Sequence, residues 1–407
     1  MLALAIFLGT YLVLAIGRFP GLRIDRTGAA IIGASLMIGC NILTFEEAIQ
    51  AVDHSTLVLL FGMMIVVANL RLSGFFRLVS AWAVRHAHHP WTLLASIVLV
   101  SGFFSAFFVN DTMCLVLTPL VLEVTAALRR NSLPYLLAVA MASNAGSVAT
   151  ITGNPQNMMI GSLSGIPYRQ FTAALAPVAA AGLLLTFAVI VLFFPKEFRD
   201  RRRVEMAELR VRVNRMLLWK AAVASVGMIV FFFWGWPVAK VAIVAGALLL
   251  ITRRVKPEKV YHEIDWSLLA MFAGLFIVVA GVEKTSLEHD MLAFAARFRL
   301  EHVAVLSAFS ALLSNLVSNV PAVLVFRPVV PRLADPALGW LTLAMSSTLA
   351  GNLTLVGSVA NLIVVQRARH DLRVSFWDYC RVGIPLTLLS LAAGAAYLHY
   401  FGLGRAT

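Results

Sequence analysis

Residues 142–160 read ASNAGSVATITGNPQNMMI, and residues 346–364 read SSTLAGNLTLVGSVANLIV. Both are uncharged apolar runs interrupted by small polar side chains. The first carries Thr150, Thr152, Gly153, Asn154 and Asn157; the second carries Thr354, Gly357, Ser358 and Asn361. An offset of 204 residues places Ser143 on Ser347, Thr150 on Thr354, Gly153 on Gly357 and Asn157 on Asn361. Gly153 and Pro155 lower helix propensity and remove a backbone donor, so the first run is predicted to break as a helix. Hydroxyls, amides and freed backbone groups can bind a ligand but supply little for bond making. Interrupted helices at corresponding places in two halves point to a transporter's binding site.

Two more polar interruptions share a second offset, 209 residues, which pairs Asn110 with Asn319 and Pro119 with Pro328. Asn110, Asp111 and Thr112 end an apolar stretch over 91–108; Ser318 and Asn319 end one over 302–317. A charge at membrane depth costs about 2.5–3.5 kcal/mol, which makes Asp111 a candidate to ligate a cation or carry a proton. The alternative is that it caps the half-helix after it. Asn110, Asn319 and Ser318 offer the neutral oxygens that hard cations such as sodium prefer, while half-helix N-termini and amides can hold an anion. A sodium ion at Asn110 and Asn319 beside a small anion is therefore expected, with no other cofactor. Taken singly, each threonine, serine or asparagine reads as a helix–helix hydrogen bond. Their recurrence in pairs argues for binding.

Other polar residues carry less. Arg327 suits an anionic substrate, a snorkel to the surface or a pairing with an acid. His86, His88 and His89 read as a solvated loop, and Glu123 and Glu283 as exposed helix ends. Cys40, Cys114 and Cys380 lie in or beside apolar runs and read as free thiols. Neither a His-Glu-x-x-His run, a phosphate loop nor a second acid placed to pair with Asp111 is present, which argues against an enzyme.

The elements that must position these residues belong to a membrane protein. Of 407 residues, 60% are hydrophobic and 13% charged, and mean hydropathy is +0.87. No single soluble core absorbs that much apolar surface. The net charge of +13 is spread over short basic loops, which sets orientation in a bilayer and excludes a nucleic-acid partner. The run over 2–17 lacks a preceding basic segment and is followed by Arg18, Arg23 and Arg26, so a first span retained in the mature chain is expected. Basic loops at Arg71, Arg77 and Arg85, at Arg129 and Arg130, at Arg253 and Arg254, and at Arg367, Arg369 and Arg373 assign their ends to the cytoplasm. Both flanks of 91–128 are then cytoplasmic, which makes that stretch a re-entrant hairpin turning at Asn110 beside a cavity.

The expected fold is an all-α polytopic membrane protein of about nine full spans in two inverted-topology repeats. Each repeat has a re-entrant helical hairpin and a broken transmembrane helix. Residues 1–195 form the first repeat, 196–215 a basic cytoplasmic linker and 216–407 the second. An interfacial helix is expected over 291–300, and an apolar return arm of the second hairpin over 322–333. The setting is the plasma membrane, with the lipid bilayer and a small anion as partners.

Two Asn-tipped hairpins, each followed by an interrupted helix, resemble the ion transporter superfamily over about residues 28–401. That group includes divalent-anion/sodium symporters, citrate transporters, arsenite permeases and some sodium/proton antiporters. Gly351-Asn352-Leu353-Thr354-Leu355-Val356-Gly357-Ser358-Val359-Ala360-Asn361 is similar to the arsenite-permease and citrate-transporter branch, and Thr150-Ile151-Thr152-Gly153-Asn154-Pro155-Gln156-Asn157 is its first-half partner. Val109-Asn110-Asp111 and Ser318-Asn319-Val320 depart from the Ser-Asn-Thr tips of dicarboxylate/sodium symporters. Gly153-Asn154-Pro155-Gln156-Asn157 lacks the acid of Gly-Asp-Pro-Pro-Asn found in many relatives. The resemblance implies alternating-access transport of a carboxylate or oxyanion with sodium or protons. Metalloid efflux, a passive channel and sodium/proton antiport are the alternatives, and a homodimer is implied by part of the family.

Overall fold

The computed structural model describes all residues except Met1, 18–23, 86–88, 200–212, 252–254, 286–292, 294 and 403–407. Arg18, Arg23, His86, His88, Arg253, Arg254 and most of the basic linker, Arg201, Arg202, Arg203, Arg210 and Arg212 included, lie outside the described residues. Of the helix expected over 291–300, residues 293 and 295–297 are helical.

In the first half α1 (Leu2–Ile16), α2 (Arg26–Gly39), α3 (Phe45–Ala51), α4 (His54–Ser73) and α5 (Phe75–Arg85) precede a hairpin of α6 (Pro90–Phe108) and α7 (Asn110–Ala127). The broken helix follows as α8 (Ser132–Ser147), a 3₁₀ turn (Ile151–Gly153) and α9 (Pro155–Ser164), then α10 (Tyr168–Phe193) and α11 (Pro195–Arg199). The second half runs α12 (Arg215–Phe233), α13 (Val238–Leu250), α14 (Pro257–Tyr261), α15 (Trp266–Glu283) and a hairpin of α16 (Val303–Val317) and α17 (Asn319–Val325). Its broken helix is α18 (Pro336–Ala350), a 3₁₀ turn (Leu355–Gly357) and α19 (Val359–Ala368), and α20 (Phe376–Phe401) ends the fold. No strand occurs among the described residues.

Seven of the described helices, α4, α6, α7, α10, α12, α15 and α20, are long and apolar enough to cross a membrane. Two of the seven, α6 and α7, are the arms of the first hairpin, which the expected nine left out; among the expected full spans α1, α2 and α13 are 15, 14 and 13 residues long, short of the ~17–25 that a full span needs, and each broken helix is divided into shorter segments. The return arm expected over 322–333 is also cut short. α17 stops at Val325, since Pro328 and Pro331 supply no backbone donor to continue it.

Local chemistry sets the helix ends. Asp53 Oδ1 accepts from Ser55 N (3.0 Å) and Asp265 Oδ1 from Leu268 N (2.9 Å), so the echo of Asp53-His54-Ser55 in Asp265-Trp266-Ser267 is a repeated N-cap. Both hairpins turn through a non-glycine residue with positive φ: Val109 (φ 62°, ψ 119°) and Ser318 (φ 79°, ψ 160°). They are related by the same offset of 209 residues as their asparagines. Left-handed backbone of this kind costs on the order of 1–3 kcal/mol and persists only where its surroundings impose it.

The core sits on the first segments of the broken helices. Every residue of α8 from Pro134 to Ser147 and of α18 from Gly339 to Ala350 is buried. The α6–α7 hairpin packs on α8 and the α16–α17 hairpin on α18; elsewhere α4 packs on α13 and α15 on α2. Backbones meet where a side chain is missing. A Cβ on Gly146 would land on the Gly102 backbone of α6, and one on Gly62 would lie 2.6 Å from the Ala242 carbonyl carbon of α13. Small residues allow such contact between membrane helices.

At one rim, Glu47 and Thr44 form a capping box, and Lys284 Nζ donates to both Glu47 oxygens (2.8 and 2.7 Å). The Lys284 ammonium, then the Thr44 backbone N–H, hold the Glu47 carboxyl below its ordinary range. A carboxylate depressed in the folded state stabilises at pH above its unfolded value and loses that contribution as pH falls through the folded one. Thermal unfolding of the native protein should therefore show a small acid-side decline that Glu47→Gln removes. The same slope in both proteins would refute the assignment.

Candidate functional site

Each break is closed by its own side chains. Asn154 is the N-cap of α9, its Oδ1 accepting from Asn157 N (2.8 Å). Asn157 Nδ2 reaches back to the carbonyls of Ser147 (3.1 Å) and Thr150 (3.0 Å), which have lost helical partners. The second break repeats the pattern. Ser358 Oγ accepts from Ala360 N (3.3 Å), and Asn361 Nδ2 donates to the carbonyls of Gly351 (2.7 Å) and Thr354 (3.1 Å). Both glycines are there for space. A Cβ on Gly153 would collide with the Ser147 carbonyl, and one on Gly357 would meet Asn315 Oδ1 at 2.6 Å.

The threonines are engaged in holding the breaks to their neighbours. Thr150 Oγ1 donates to the Ala106 carbonyl of α6, and Thr152 shares a hydrogen bond with the Tyr168 hydroxyl of α10 (2.9 Å). Thr354 Oγ1 donates to Asn315 Oδ1 (3.0 Å), whose Nδ2 donates to the Ala350 carbonyl (2.8 Å).

The breaks and hairpin tips meet through buried amides. Asn110 Nδ2 donates to Asn144 Oδ1 (3.0 Å), and Asn144 Nδ2 donates to Asn352 Oδ1 (2.9 Å) and Asn361 Oδ1 (3.1 Å). Ser358 Oγ donates to Asn144 Oδ1 (3.1 Å). On the other side Asn154 Nδ2 and Gln156 Nε2 both donate to Thr348 Oγ1 (3.2 Å each). The amide of Asn319 is oriented by its surroundings: Nδ2 donates to the carbonyls of Ser347 (3.2 Å) and Gly357 (3.3 Å), and Oδ1 accepts from Gln156 Nε2 (3.2 Å). The N-terminal ends of α7, α9, α17 and α19 are thus joined by side chains into one uncharged, buried polar centre. Two acceptors in it, Asn110 Oδ1 and Asn157 Oδ1, receive no hydrogen bond from the described residues.

Of the residues singled out from sequence, Asn110, Asn154, Asn157, Asn319, Ser358 and Asn361 come together here. Asn144, Gln156, Thr348 and Asn352 are members the spacing argument missed. Asn144 pairs with Thr348 at the offset of 204 residues, a polar match inside two buried helices that was available as a signal.

Asp111 and Thr112 face away from these amides. They line a cavity of about 100 Å³ beside the centre, with Val109, Pro155, Arg71, Glu263 and Asp265; Arg71 and Glu263 form an ion pair across its wall. Asp111 does not cap α7, whose N-cap is Val109 with no side-chain hydrogen bond. Arg327 takes the third of its expected roles: its Nε lies 3.6 Å from Glu283 Oε1 and its guanidinium 6.0 Å from the Phe276 ring centre. Glu283 is accordingly half-buried and paired, where exposure was expected; Glu123 is exposed. Cys40 is exposed, Cys114 and Cys380 are buried, and all three are free. No group of three metal-ligating His, Cys, Asp or Glu side chains occurs among the described residues.

A bundle of apolar spans, opened at its middle by two matching helix breaks and two hairpin tips, is the architecture of a polytopic membrane transporter. The chain belongs to the citrate transporter family, whose model matches residues 11–350. It is 32% identical to the silicon efflux transporter LSI3 of Oryza sativa subsp. japonica, with 92% of each chain covered. It is 29% identical to the 46 kDa membrane protein of Mycobacterium leprae, with 98% of each covered. Among solved structures, MtrF of Neisseria gonorrhoeae, reported as one of a class of antimetabolite efflux pumps, shares the fold with a TM-score of 0.64 at 12% identity; 98% of this chain and 94% of that chain are covered.

Proposed function

We propose that the protein is a secondary active transporter of a small anion, a carboxylate or inorganic oxyanion, driven by a sodium or proton gradient through alternating access. The observation that carries this reading is the joining of the N-termini of α7, α9 and α19 with the Asn319 hairpin tip in one buried, uncharged centre. Helix N-termini carry partial positive charge and free N–H groups, which bind an anion without a cationic side chain. The unpartnered oxygens of Asn110 and Asn157 are the donor type a sodium ion takes. Asp111, on the cavity beside the centre, is the candidate for a coupled proton. The two halves would lie in the bilayer with opposite orientation, the basic linker on the cytoplasmic side of the plasma membrane.

A second reading, efflux of an uncharged metalloid acid, is favoured by the likeness to a silicon efflux transporter and by the uncharged centre. Purified protein in liposomes tests both, with labelled citrate, succinate, sulfate and arsenite under sodium or pH gradients imposed separately. Uptake of one anion that requires one gradient supports the symporter. Failure of all uptake, with arsenite leaving preloaded vesicles, replaces it with efflux. Asp111→Asn is expected to remove the dependence on a pH gradient; unchanged pH-driven transport in that variant would discard Asp111 as proton carrier.

A further inference from the structure

Asn144 lies on α8 just before the first break and is buried on all sides. An amide side chain offers two donors and two acceptor sites, and here all four are used. Oδ1 accepts from Asn110 Nδ2 at the first hairpin tip and from Ser358 Oγ at the N-cap of α19; Nδ2 donates to Asn352 and Asn361. One partner belongs to the first hairpin and three to the second break. Thr348, the residue at the matching position of the second half, accepts from Asn154 and Gln156 and donates to no side chain among the described residues. A hydroxyl on that side and an amide on this one make the two crossings unequal.

We infer that Asn144 is a positioning residue that couples the first hairpin tip to the second break, so that a ligand which moves Asn110 also resets Ser358 and Asn361. The purpose of the coupling rests on the transporter reading; the coupling itself does not. Asn110 is the end of the chain through which the signal enters. Its Nδ2 is held by Asn144 while its Oδ1 has no donor among the described residues, so a cation on that oxygen pulls on the amide that Asn144 grips. Buried networks transmit such changes because breaking any one bond strands a partner that water cannot reach.

Backbone hydrogen exchange on the full-length protein in lipid nanodiscs, without substrate, tests the coupling. Asn144→Asp keeps the acceptor contacts to Asn110 and Ser358 but has no N–H for Asn352 and Asn361. Exchange at residues 351–362 should rise roughly ten- to a hundredfold, the equivalent of the two lost hydrogen bonds, while residues 111–114 stay as in the native protein. Asn110→Ala should raise exchange at 351–362 as well, and add less in the Asn144→Asp background than it does alone, because only the contact through Ser358 then remains. Additive effects, or changes confined to 111–114, overturn the inference. Should Asn144→Asp fail to fold, Asn110→Ala alone decides: no change at 351–362 refutes the coupling.

A kinetic reading separates this role from simple support of the fold. With whichever of citrate or arsenite the native protein moves, KM should depend on the driving-ion concentration, because linked sites shift each other's affinity reciprocally. In Asn144→Asp that dependence should flatten. A KM that still falls with the ion as in the native protein overturns the inference. Failure of the native protein to move either probe counts against the proposed function and leaves the exchange result intact.

Discussion

Replacing Asn110 and Asn319 together by alanine is expected to bring transport to the level of empty liposomes while the protein remains folded. Each asparagine opens a half-helix at the apex of a hairpin and supplies the amide that ties this apex to a helix break. Losing one buried partner costs about 1–3 kcal/mol per stranded group, roughly ten- to hundred-fold for each position in any step that needs the centre assembled. The two sit in different hairpins, so their losses compound. The fold should survive because α8 and α18 stay buried against unaltered faces of the hairpins. The comparison uses purified native and double-variant protein matched for monodispersity and helical content. Robust transport by the double variant would sink the assignment of the centre as the binding site.

The second large effect concerns assembly. Gly153→Ala is expected to destabilise the protein by at least about 1–3 kcal/mol, the usual cost of overpacking, and to remove transport with it. Its new methyl group would strike the Ser147 carbonyl and lie 2.8 Å from Ser147 Cα. Those are backbone atoms, and they cannot rotate aside as a side chain does. Movement of that carbonyl would also withdraw the acceptor of Asn157 Nδ2 and Asn154 Nδ2, so the break loses its closure as well as its space. Gly9→Ala and Gly227→Ala are the controls, since a methyl group at either meets nothing within 4 Å. Heating detergent-solubilised samples and following the monodisperse fraction should show early loss for Gly153→Ala alone. Equal thermal survival of the three variants would show that the close approach at 153 relaxes freely.

The paired offsets carried far. Asn157 and Asn361, matched by counting residues, make the same two kinds of hydrogen bond to carbonyls at matched positions, Ser147 with Thr150 and Gly351 with Thr354. The hairpin tips at Asn110 and Asn319 also fall where one offset placed them. Sequence adjacency alone groups Asp111 with Asn110. Asn110 and Asp111 are consecutive residues of α7, and neighbouring helix positions face about 100° apart, so Asp111 lines a cavity with Arg71 and Asp265 instead. Arg327 and Glu283 could not be paired from sequence, because their contact depends on how α15 lies beside the second hairpin.

Composition and spacing by themselves determined an apolar helical bundle, two halves with matched interruptions, and the asparagines that close each break. These follow from local rules: hydrophobic length, helix-breaking Gly and Pro, and N-capping side chains act over a few residues. Only the tertiary structure decided that Asn144 joins Asn110 to Asn352, Asn361 and Ser358. It also decided that Val109 and Ser318 turn through positive φ, and that the threonines brace the breaks. Bonds between elements 16 to 217 residues apart and strained backbone angles are imposed by packing between elements, which no local pattern encodes.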